Sequence, residues 1–186
     1  MISGRKLTVR GCGVNPTRCG LLEVLRRMGA RMATQEETCI LGEPVGTITA
    51  EPGELRGTRV TAAEVPELID EVPLLAVLGL FARGTTEVRG AEELRFKESD
   101  RLKMIAEMAV ALGGRIEVFS DGFAVDGPQP LRAGMVDPRG DHRIAMAAAV
   151  AAAGIPGGVK VKDFACARVS YPDFARDFTA LGGEIA

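Results

Sequence analysis

Two short segments place acidic and basic side chains together at the start of a helical apolar pattern. The first, residues 94–102, has the sequence LRFKESDRL, and the second, residues 140–146, has the sequence GDHRIAM. Cations at the start of a helix oppose the positive end of its macrodipole, whereas anions are stabilised there. Lys97, Arg101 and Arg143 in these positions therefore predict a site for an anionic ligand.

The pair Lys97 and Arg101 has two interpretations. On a continuous helix they would lie one turn apart on the same face, where like charges repel by about 0.2–0.5 kcal/mol. Acidic neighbours would then neutralise them and leave a solvated surface, with Ser99 or Asp100 as the helix cap, and the spacing alone favours this interpretation. Those acidic neighbours are Glu92, Glu93, Glu98 and Asp100. Alternatively, both cations bind a phosphate or carboxylate, and Glu98 between them transfers a proton to the reacting molecule.

The remaining candidates also have ordinary structural interpretations. Asp70 precedes an apolar helix and by itself would be an N-terminal cap. His142 is the only histidine of the chain, and a single histidine is more often a hydrogen-bonded structural residue than a catalyst. Arg143 could pair with Asp137 or Asp141. Only the recurrence of charged residues at the starts of two apolar helices favours a functional role.

Two kinds of helix are predicted to position these residues. Amphipathic helices, each followed by a glycine cap and a strand, are expected within residues 21–32, 102–116 and 174–185, because their apolar residues recur at steps of three and four. Residues 72–81 and 144–153 are apolar on nearly all sides. Helices of this second kind are expected inside the domain.

Strands are predicted to follow the apolar helices, at residues 85–89 and 159–162. Residues 116–125 are predicted to form a hairpin, because Asp121-Gly122 favours a tight turn between two apolar runs. The resulting unit is βαβαββ, and its recurrence predicts an α/β (α+β) fold with a pseudo-threefold repeat around one core. Equivalent helix starts should converge at one end of such a fold, so that the charged residues share one surface.

Composition bounds the classes of function. The 186 residues predict one domain spanning 1–186. A net charge of -2, aromatic residues at 4% and the lack of Trp disfavour nucleic acid as a partner. The longest apolar run, residues 144–153, is too short to cross a bilayer, and residues 6–10 form a charged, strand-like segment where a signal peptide would need an apolar core. No membrane partner and a cytoplasmic location are therefore expected.

Cysteine and histidine usage predicts no metal site. The four cysteines, at positions 12, 19, 39 and 166, have no CxxC spacing, and one histidine cannot complete a usual zinc set. Cys12 and Cys19 flank a loop and could be bridged, but free buried thiols are the expected state.

Five motifs in one order resemble 5-enolpyruvylshikimate-3-phosphate synthase. They are DEVPLLA at residues 70–76, GTT at 84–86, GAEELRFKESDRL at 90–102, DHRIAM at 141–146 and SYPDF at 170–174. The resemblance implies an enolpyruvyltransferase-like inside-out α/β barrel, one domain of the usual two. It implies that residues 1–186 form the C-terminal half of such an enzyme and that the N-terminal domain is absent from this sequence.

The same resemblance implies a reaction without a cofactor. The family transfers the enolpyruvyl group of phosphoenolpyruvate to the 5-hydroxyl of shikimate 3-phosphate and releases phosphate, a step of aromatic amino acid biosynthesis. The implied partners are these two substrates and the N-terminal domain of the same enzyme. By this resemblance Asp70 is the catalytic proton acceptor and also contacts the shikimate hydroxyls, Lys97 contacts shikimate 3-phosphate, and Glu98 is the catalytic acid that protonates C3.

The phosphoenolpyruvate contacts are implied in the same way. Arg101 and Arg143 match two arginines that hold this substrate, and His142 matches a catalytic neighbour of that site. Some family members carry a further lysine just before the SYPDF motif. Here that position is Val169, and Arg168 precedes it, so this lysine contact is unassigned.

Two other functions are weighed against this one. The related UDP-N-acetylglucosamine enolpyruvyltransferase shares the fold and the donor, but the KESDR and DHR motifs favour the shikimate enzyme. A catalytically silent domain that binds anions or a partner chain is the alternative from another class. Because half of the site would lie in the other domain, the isolated chain is expected to have no measurable synthase activity and at most weak affinity for phosphoenolpyruvate.

Overall fold

The fold was determined as a computed structural model, which describes residues 6–185. The helices are α1 (Gly20–Arg27), α2 (Val72–Phe81), α3 (Arg101–Ala111), α4 (His142–Ala152) and α5 (Phe174–Ala180). The strands are β1 (Leu7–Gly13), β2 (Arg31–Ile40), β3 (Glu43–Glu51), β4 (Arg59–Val60), β5 (Gly84–Val88), β6 (Glu117–Phe119), β7 (Gly122–Gly127), β8 (Gly134–Val136) and β9 (Val159–Val161). Short 3-10 helices cover Pro16–Arg18, Val65–Glu67, Ile69–Glu71, Glu92–Phe96 and Phe164–Val169.

The βαβαββ unit predicted from the sequence is present in full once. Elements β4, α2, β5, α3, β6 and β7 follow each other in this order, and their strands form a four-stranded sheet in the order β4-β5-β7-β6. The sheet β1-β3-β2 repeats the order β5-β7-β6, with α1 in the place of α3. The parallel pair β8-β9 repeats the parallel pair β4-β5, with α4 in the place of α2. The mixed α/β fold with repeated units is therefore confirmed.

The amphipathic helices end in one common way. Each of α1, α3 and α5 is followed by a glycine with positive φ, which is Gly29 at 92°, Gly113 at 80° and Gly182 at 94°. The amide of the next residue then donates to a carbonyl five residues earlier, which satisfies an orphan group of the last turn. These bonds join Ala30 to Leu25, Gly114 to Ala109 and Gly183 to Phe178.

The core lies where α2, α3 and α4 pack against each other, with the sheets outside them. Helix α2 has the predicted bounds, and seven of its ten residues are buried. Helix α4 begins at His142, two residues before the predicted start, because Asp141 caps it. The hairpin is confirmed as β6 and β7, but Gly122, which was expected in the turn, is the first residue of β7 and pairs with Phe119, so that the two-residue turn is Ser120 and Asp121.

Two expectations differ from the structure. The third glycine-capped helix leads to no strand within residues 183–185, because these residues form no ladder hydrogen bonds with any of the described strands. The cysteines are free, as predicted, but Cys39 is exposed and the other three are half-buried. Burial raises the pKa of the Cys12, Cys19 and Cys166 thiols.

Within residues 6–185, no helix has both the length and the apolar character that a bilayer crossing requires.

Candidate active site

The start of α4 is fixed by a single buried carboxylate. Asp141 is 0% exposed, and its Oδ1 accepts from the backbone amides of Arg143 (2.9 Å) and Ile144 (3.4 Å). This is the capping geometry that satisfies orphan amides in the first turn. The sequence suggests Asp141 or Asp137 as an ion-pair partner of Arg143, yet the Asp141 side chain contacts the backbone of Arg143 and not its guanidinium group.

The second oxygen of Asp141 reaches the start of α3. Its Oδ2 accepts from the Ser99 hydroxyl at 2.7 Å and from Arg101 Nε at 2.9 Å. Burial would raise the pKa of Asp141, but the hydrogen bonds from Arg101 and Ser99 outweigh it and hold this pKa below its ordinary value. One ionised carboxylate therefore ties the first residues of two helices together.

Arg101 is the first residue of α3 and is only 1% exposed. Its Nη1 lies 3.2 Å from Asp70 Oδ1, and its Nη2 lies 2.6 Å from Glu98 Oε2. With Asp141 on Nε, all three nitrogens of the guanidinium contact a carboxylate. The neutralising interpretation from the sequence was correct for Glu98 but wrong in placing Arg101 on a solvated surface, because Asp70 and Asp141 come from distant segments and enclose it.

Arg143, the second residue of α4, meets the same carboxylate from the other side. Its Nη2 lies 3.4 Å from Asp70 Oδ2, and its Nη1 lies 3.3 Å from Glu71 Oε1. These contacts are long for charge-assisted hydrogen bonds. Its Nε is buried and has no hydrogen-bond partner among the described residues. Arg143 therefore keeps donor capacity that the surrounding protein does not use.

We call this group the carboxylate–arginine cluster. Its members are Asp70, Glu71, Glu98, Arg101, Asp141 and Arg143. They come from the starts of α2, α3 and α4, so the predicted convergence of charged helix starts is confirmed. The cluster holds four carboxylates and two guanidinium groups, and an anionic ligand would therefore require either further cations or displacement of carboxylates from the arginines.

Lys97 does not lie on one helix with Arg101, contrary to the sequence-based expectation. It follows the 3-10 helix Glu92–Phe96 in an extended conformation, and α3 begins only at Arg101 because the Asp100 side chain caps it at the amide of Lys103. The Lys97 ammonium pairs with Glu93. Lys97 therefore adjoins Glu98 along the chain but makes no ion pair with the cluster.

His142 and the segment before the SYPDF motif complete the sequence candidates. His142 is the first residue of α4, is 8% exposed, and makes no side-chain hydrogen bond within the described part of the chain. Arg168 and Val169 end the 3-10 helix Phe164–Val169, where Val169 is 78% exposed.

Asp70 does not cap α2, contrary to its ordinary structural interpretation. Its side chain bridges Arg101 and Arg143 instead, and α2 has no side-chain cap.

Other parts of the surface offer less chemistry. Residues 6–185 contain no group of three His, Cys, Asp or Glu side chains arranged to hold a metal ion. A groove of about 360 Å³ lies between α4, β9 and α5, but it is lined mainly by apolar side chains such as Val159, Phe164 and Phe178 and includes no member of the cluster. The cluster, and not this groove, carries titratable groups in mutual contact.

Known proteins match this chain over most of its length. The family model described as EPSP synthase (3-phosphoshikimate 1-carboxyvinyltransferase) matches residues 1–178. A protein named 3-phosphoshikimate 1-carboxyvinyltransferase from Anaeromyxobacter sp. (strain Fw109-5) is 47% identical over 184 residues, which are 98% of this chain and 42% of that protein. One of the same name from Thermotoga sp. (strain RQ2) is 48% identical over 172 residues, 91% of this chain and 40% of that protein.

Solved structures show the same fold. EPSP synthase from Acinetobacter baumannii superimposes with a TM-score of 0.90 at 30% identity, covering 95% of this chain and 42% of that one. The enolpyruvyl transferase NikO from Streptomyces tendae gives 0.78 at 27% identity, covering 100% and 42%. The chain thus spans about two-fifths of the length of these relatives. Because the family model covers nearly all of its residues, the chain belongs to the EPSP synthase family.

Proposed function

We propose that this chain provides the phosphoenolpyruvate-binding half of a site that transfers an enolpyruvyl group to the 5-hydroxyl of shikimate 3-phosphate. The observation that carries the proposal is the convergence of Arg101 and Arg143 on Asp70, with Glu98 bound to Arg101. This arrangement joins two fixed cations to two carboxylates that can exchange protons, which is the combination that addition to an anionic enol phosphate needs.

The proposed roles follow the chemistry of each side chain. Arg143 receives the carboxylate or phosphate of phosphoenolpyruvate, because its Nε has no partner and its two ion pairs are long. Arg101 supplies a second cation, held in place by Asp141. Lys97 neutralises the phosphate of shikimate 3-phosphate once it leaves Glu93, and His142 borders the donor site.

The proposed reaction runs by addition and then elimination. Asp70 accepts the proton of the attacking hydroxyl as the hydroxyl oxygen bonds to C2 of phosphoenolpyruvate, and Glu98, which enters the reaction in its protonated form, donates that proton to C3. In the elimination Glu98 takes a proton back from C3, the C2–O bond to phosphate breaks as the double bond re-forms, and Asp70 returns its proton to the departing phosphate. Both steps need only proton transfer and charge stabilisation, so no cofactor enters the proposal.

The cluster alone does not have enough positive charge for this chemistry, since its four carboxylates outnumber its two arginines. We therefore propose that residues 1–186 act as one domain, and that a second domain of the family fold supplies the remaining contacts to shikimate 3-phosphate. The reaction uses soluble, phosphorylated acids, and we propose a cytoplasmic site for it.

The test combines the chain with the complementary N-terminal part of the Anaeromyxobacter relative. Phosphate release is measured with phosphoenolpyruvate and shikimate 3-phosphate, and amide NMR shifts of the chain are followed in the same titrations. We expect turnover only when both parts and both substrates are present. Arg143→Gln should abolish it, whereas Arg139→Gln should not, because Arg139 is an exposed arginine that pairs with Glu107 outside the cluster.

Other results would assign the chain differently. Turnover with UDP-N-acetylglucosamine in place of shikimate 3-phosphate would identify the related transferase activity. Shifts at the cluster without turnover in any combination would indicate a silent anion-binding domain. Rapid turnover by the chain alone would contradict the proposal that the site needs a second domain.

A further inference from the structure

The segment that carries Lys97 and Glu98 is held by a residue outside the cluster. Arg95 donates from Nε to the carbonyl of Ser120 (2.8 Å) and from Nη2 to the carbonyl of Phe119 (2.8 Å), both at the β6–β7 turn. Its third nitrogen, Nη1, lies 3.0 Å from Asp100 Oδ2. Arg95 therefore joins a hairpin turn, more than twenty residues away in the chain, to the residue that caps α3.

The carboxylate of Asp100 serves two functions at once. Its Oδ1 accepts from the amide of Lys103 and caps α3, while its Oδ2 binds Arg95. Residues 97–99, between Arg95 and Asp100, have no regular secondary structure. The ion pair of Arg95 and Asp100 thus fixes the backbone on both sides of this three-residue segment. Its own side chains reach Glu93 from Lys97, Arg101 from Glu98 and Asp141 from Ser99.

The hairpin turn is itself anchored on its other side. The carbonyl of Asp121 accepts from the amide of Ala91 (2.7 Å), and its carboxylate accepts from the amide of Gly90 (3.1 Å) and pairs with Arg89. Gly122 packs so closely on β5 that an added Cβ would lie 1.9 Å from the carbonyl oxygen of Val88. The turn therefore offers fixed carbonyl groups to Arg95.

We propose that Arg95 is a positioning residue, which holds the Lys97–Glu98 segment against the β6–β7 turn so that Glu98 keeps its place beside Arg101. Arg95 does not touch the cluster and acts through Asp100 and the backbone. Glu98 is the member most dependent on this support, because its side chain is 49% exposed and contacts only Arg101 within the cluster. Arg101 itself is held independently by Asp141.

The first test needs no substrate. In the Arg95→Gln variant, NMR order parameters of the amides of residues 97–99 should fall from about 0.85 to below about 0.6, the values for rigid and flexible backbone. Hydrogen exchange of the protected amides of α2 and α4 should stay within about twofold of the wild type, because the core is untouched. Arg95→Lys, which retains the charge and can reach one of the three acceptors, should give intermediate order parameters.

Matched variants separate this role from general support of the fold. Arg89→Gln removes an equal charge beside the same turn, but Arg89 contacts Asp121, Glu87 and the Phe119 ring and not residues 95–100. The amides of Gly90 and Ala91 still bind Asp121 in this variant, so residues 97–99 should remain rigid. Asp100→Asn keeps the cap, since Asn caps as well as Asp, and should loosen the segment less than Arg95→Gln. Unchanged order parameters in Arg95→Gln, or equal loosening of α2 and α4, would overturn the proposal.

The kinetic part of this inference rests on the proposed function. In the two-part enzyme, Arg95→Gln should lower kcat about tenfold to a hundredfold, the cost of misplacing a catalytic group by about 1 Å, while KM for phosphoenolpyruvate changes less than about twofold. A rise in KM with unchanged kcat would contradict positioning of Glu98. If the wild-type parts show no turnover at all, the proposed function fails, and the order-parameter test still decides the role of Arg95.

Discussion

Replacement of Arg101 by methionine tests whether the cluster is a structural element of the core. Arg101 is 1% exposed and its partner Asp141 is 0% exposed, so the change leaves a buried carboxylate without its cation. Loss of one partner of a buried ion pair costs about 3–5 kcal/mol of unfolding free energy. The lower end applies here, because Asp141 keeps its bonds to the Ser99 hydroxyl and to two backbone amides.

Arg143→Met is the matched control for this change. Arg143 is 26% exposed and its partners Asp70 and Glu71 are each 28% exposed, so solvent screens these ion pairs. Partly exposed pairs of this kind contribute about 0–1 kcal/mol. Urea unfolding followed by circular dichroism measures both variants, since the chain has no Trp for fluorescence. A cost for Arg101→Met no larger than that for Arg143→Met would refute the reasoning.

A second substitution keeps the test decisive if Arg101→Met folds poorly. Asp141→Asn retains a side-chain oxygen for the α4 cap but removes the stranded charge. Added to Arg101→Met, it should therefore raise the unfolding free energy by about 1–3 kcal/mol, the usual penalty of an unsatisfied buried group. If the double variant is less stable than Arg101→Met alone, Asp141 is not the charge that Arg101 compensates.

Three further predictions concern pH, packing and catalysis. Because the pKa of Asp141 is lowered in the folded chain, its contribution to stability is present above the ordinary carboxyl pKa and is lost as pH falls through the folded value. The urea midpoint of Asp141→Asn should therefore fall less steeply with decreasing pH than that of the wild type. Equal pH dependence of the two midpoints would contradict this prediction. Gly79→Ala places a Cβ 2.3 Å from Val125 Cγ1, and this overpacking should lower the unfolding free energy by about 1–3 kcal/mol. An unchanged urea midpoint would show instead that β7 shifts to make room for the added methyl group. Glu98→Gln should lower kcat of the two-part enzyme about 10²- to 10⁴-fold and leave phosphoenolpyruvate binding unchanged. If NMR titration shows that the variant also loses affinity for phosphoenolpyruvate, Glu98 does not act in proton transfer alone.

The fold was predictable where one segment determines its own structure. The apolar run 72–81 has no polar face and must be an interior helix, and the glycine after each amphipathic helix indicates its end. The absence of a strand after Gly183 could not be predicted in this way, because a strand forms only where a second strand completes its hydrogen bonds. The repeat could be predicted for the same reason, since each unit has its own pattern of apolar residues and glycines.

The site was predictable in its members but not in their contacts. Spacing placed Lys97 on a helix with Arg101, yet the capping preference of Asp100 begins the helix four residues later. No local pattern links Arg101 to Asp141, forty residues away, because that contact depends on the packing of two helix starts. Arg95 was missed for a similar reason, since its acceptors are backbone carbonyls, which any sequence supplies.

The carboxylate of Asp141 serves both the first turn of α4 and the guanidinium at the head of α3. A change of ligand specificity that moves Asp141 would therefore also change thermal stability, because the same carboxylate holds the first turns of α3 and α4 together. Evolutionary change in recognition should begin at the screened positions around Arg143 and Lys97. Substitutions there alter ligand contacts at little cost in stability, whereas a substitution at Asp141 lowers the unfolding free energy of the whole domain.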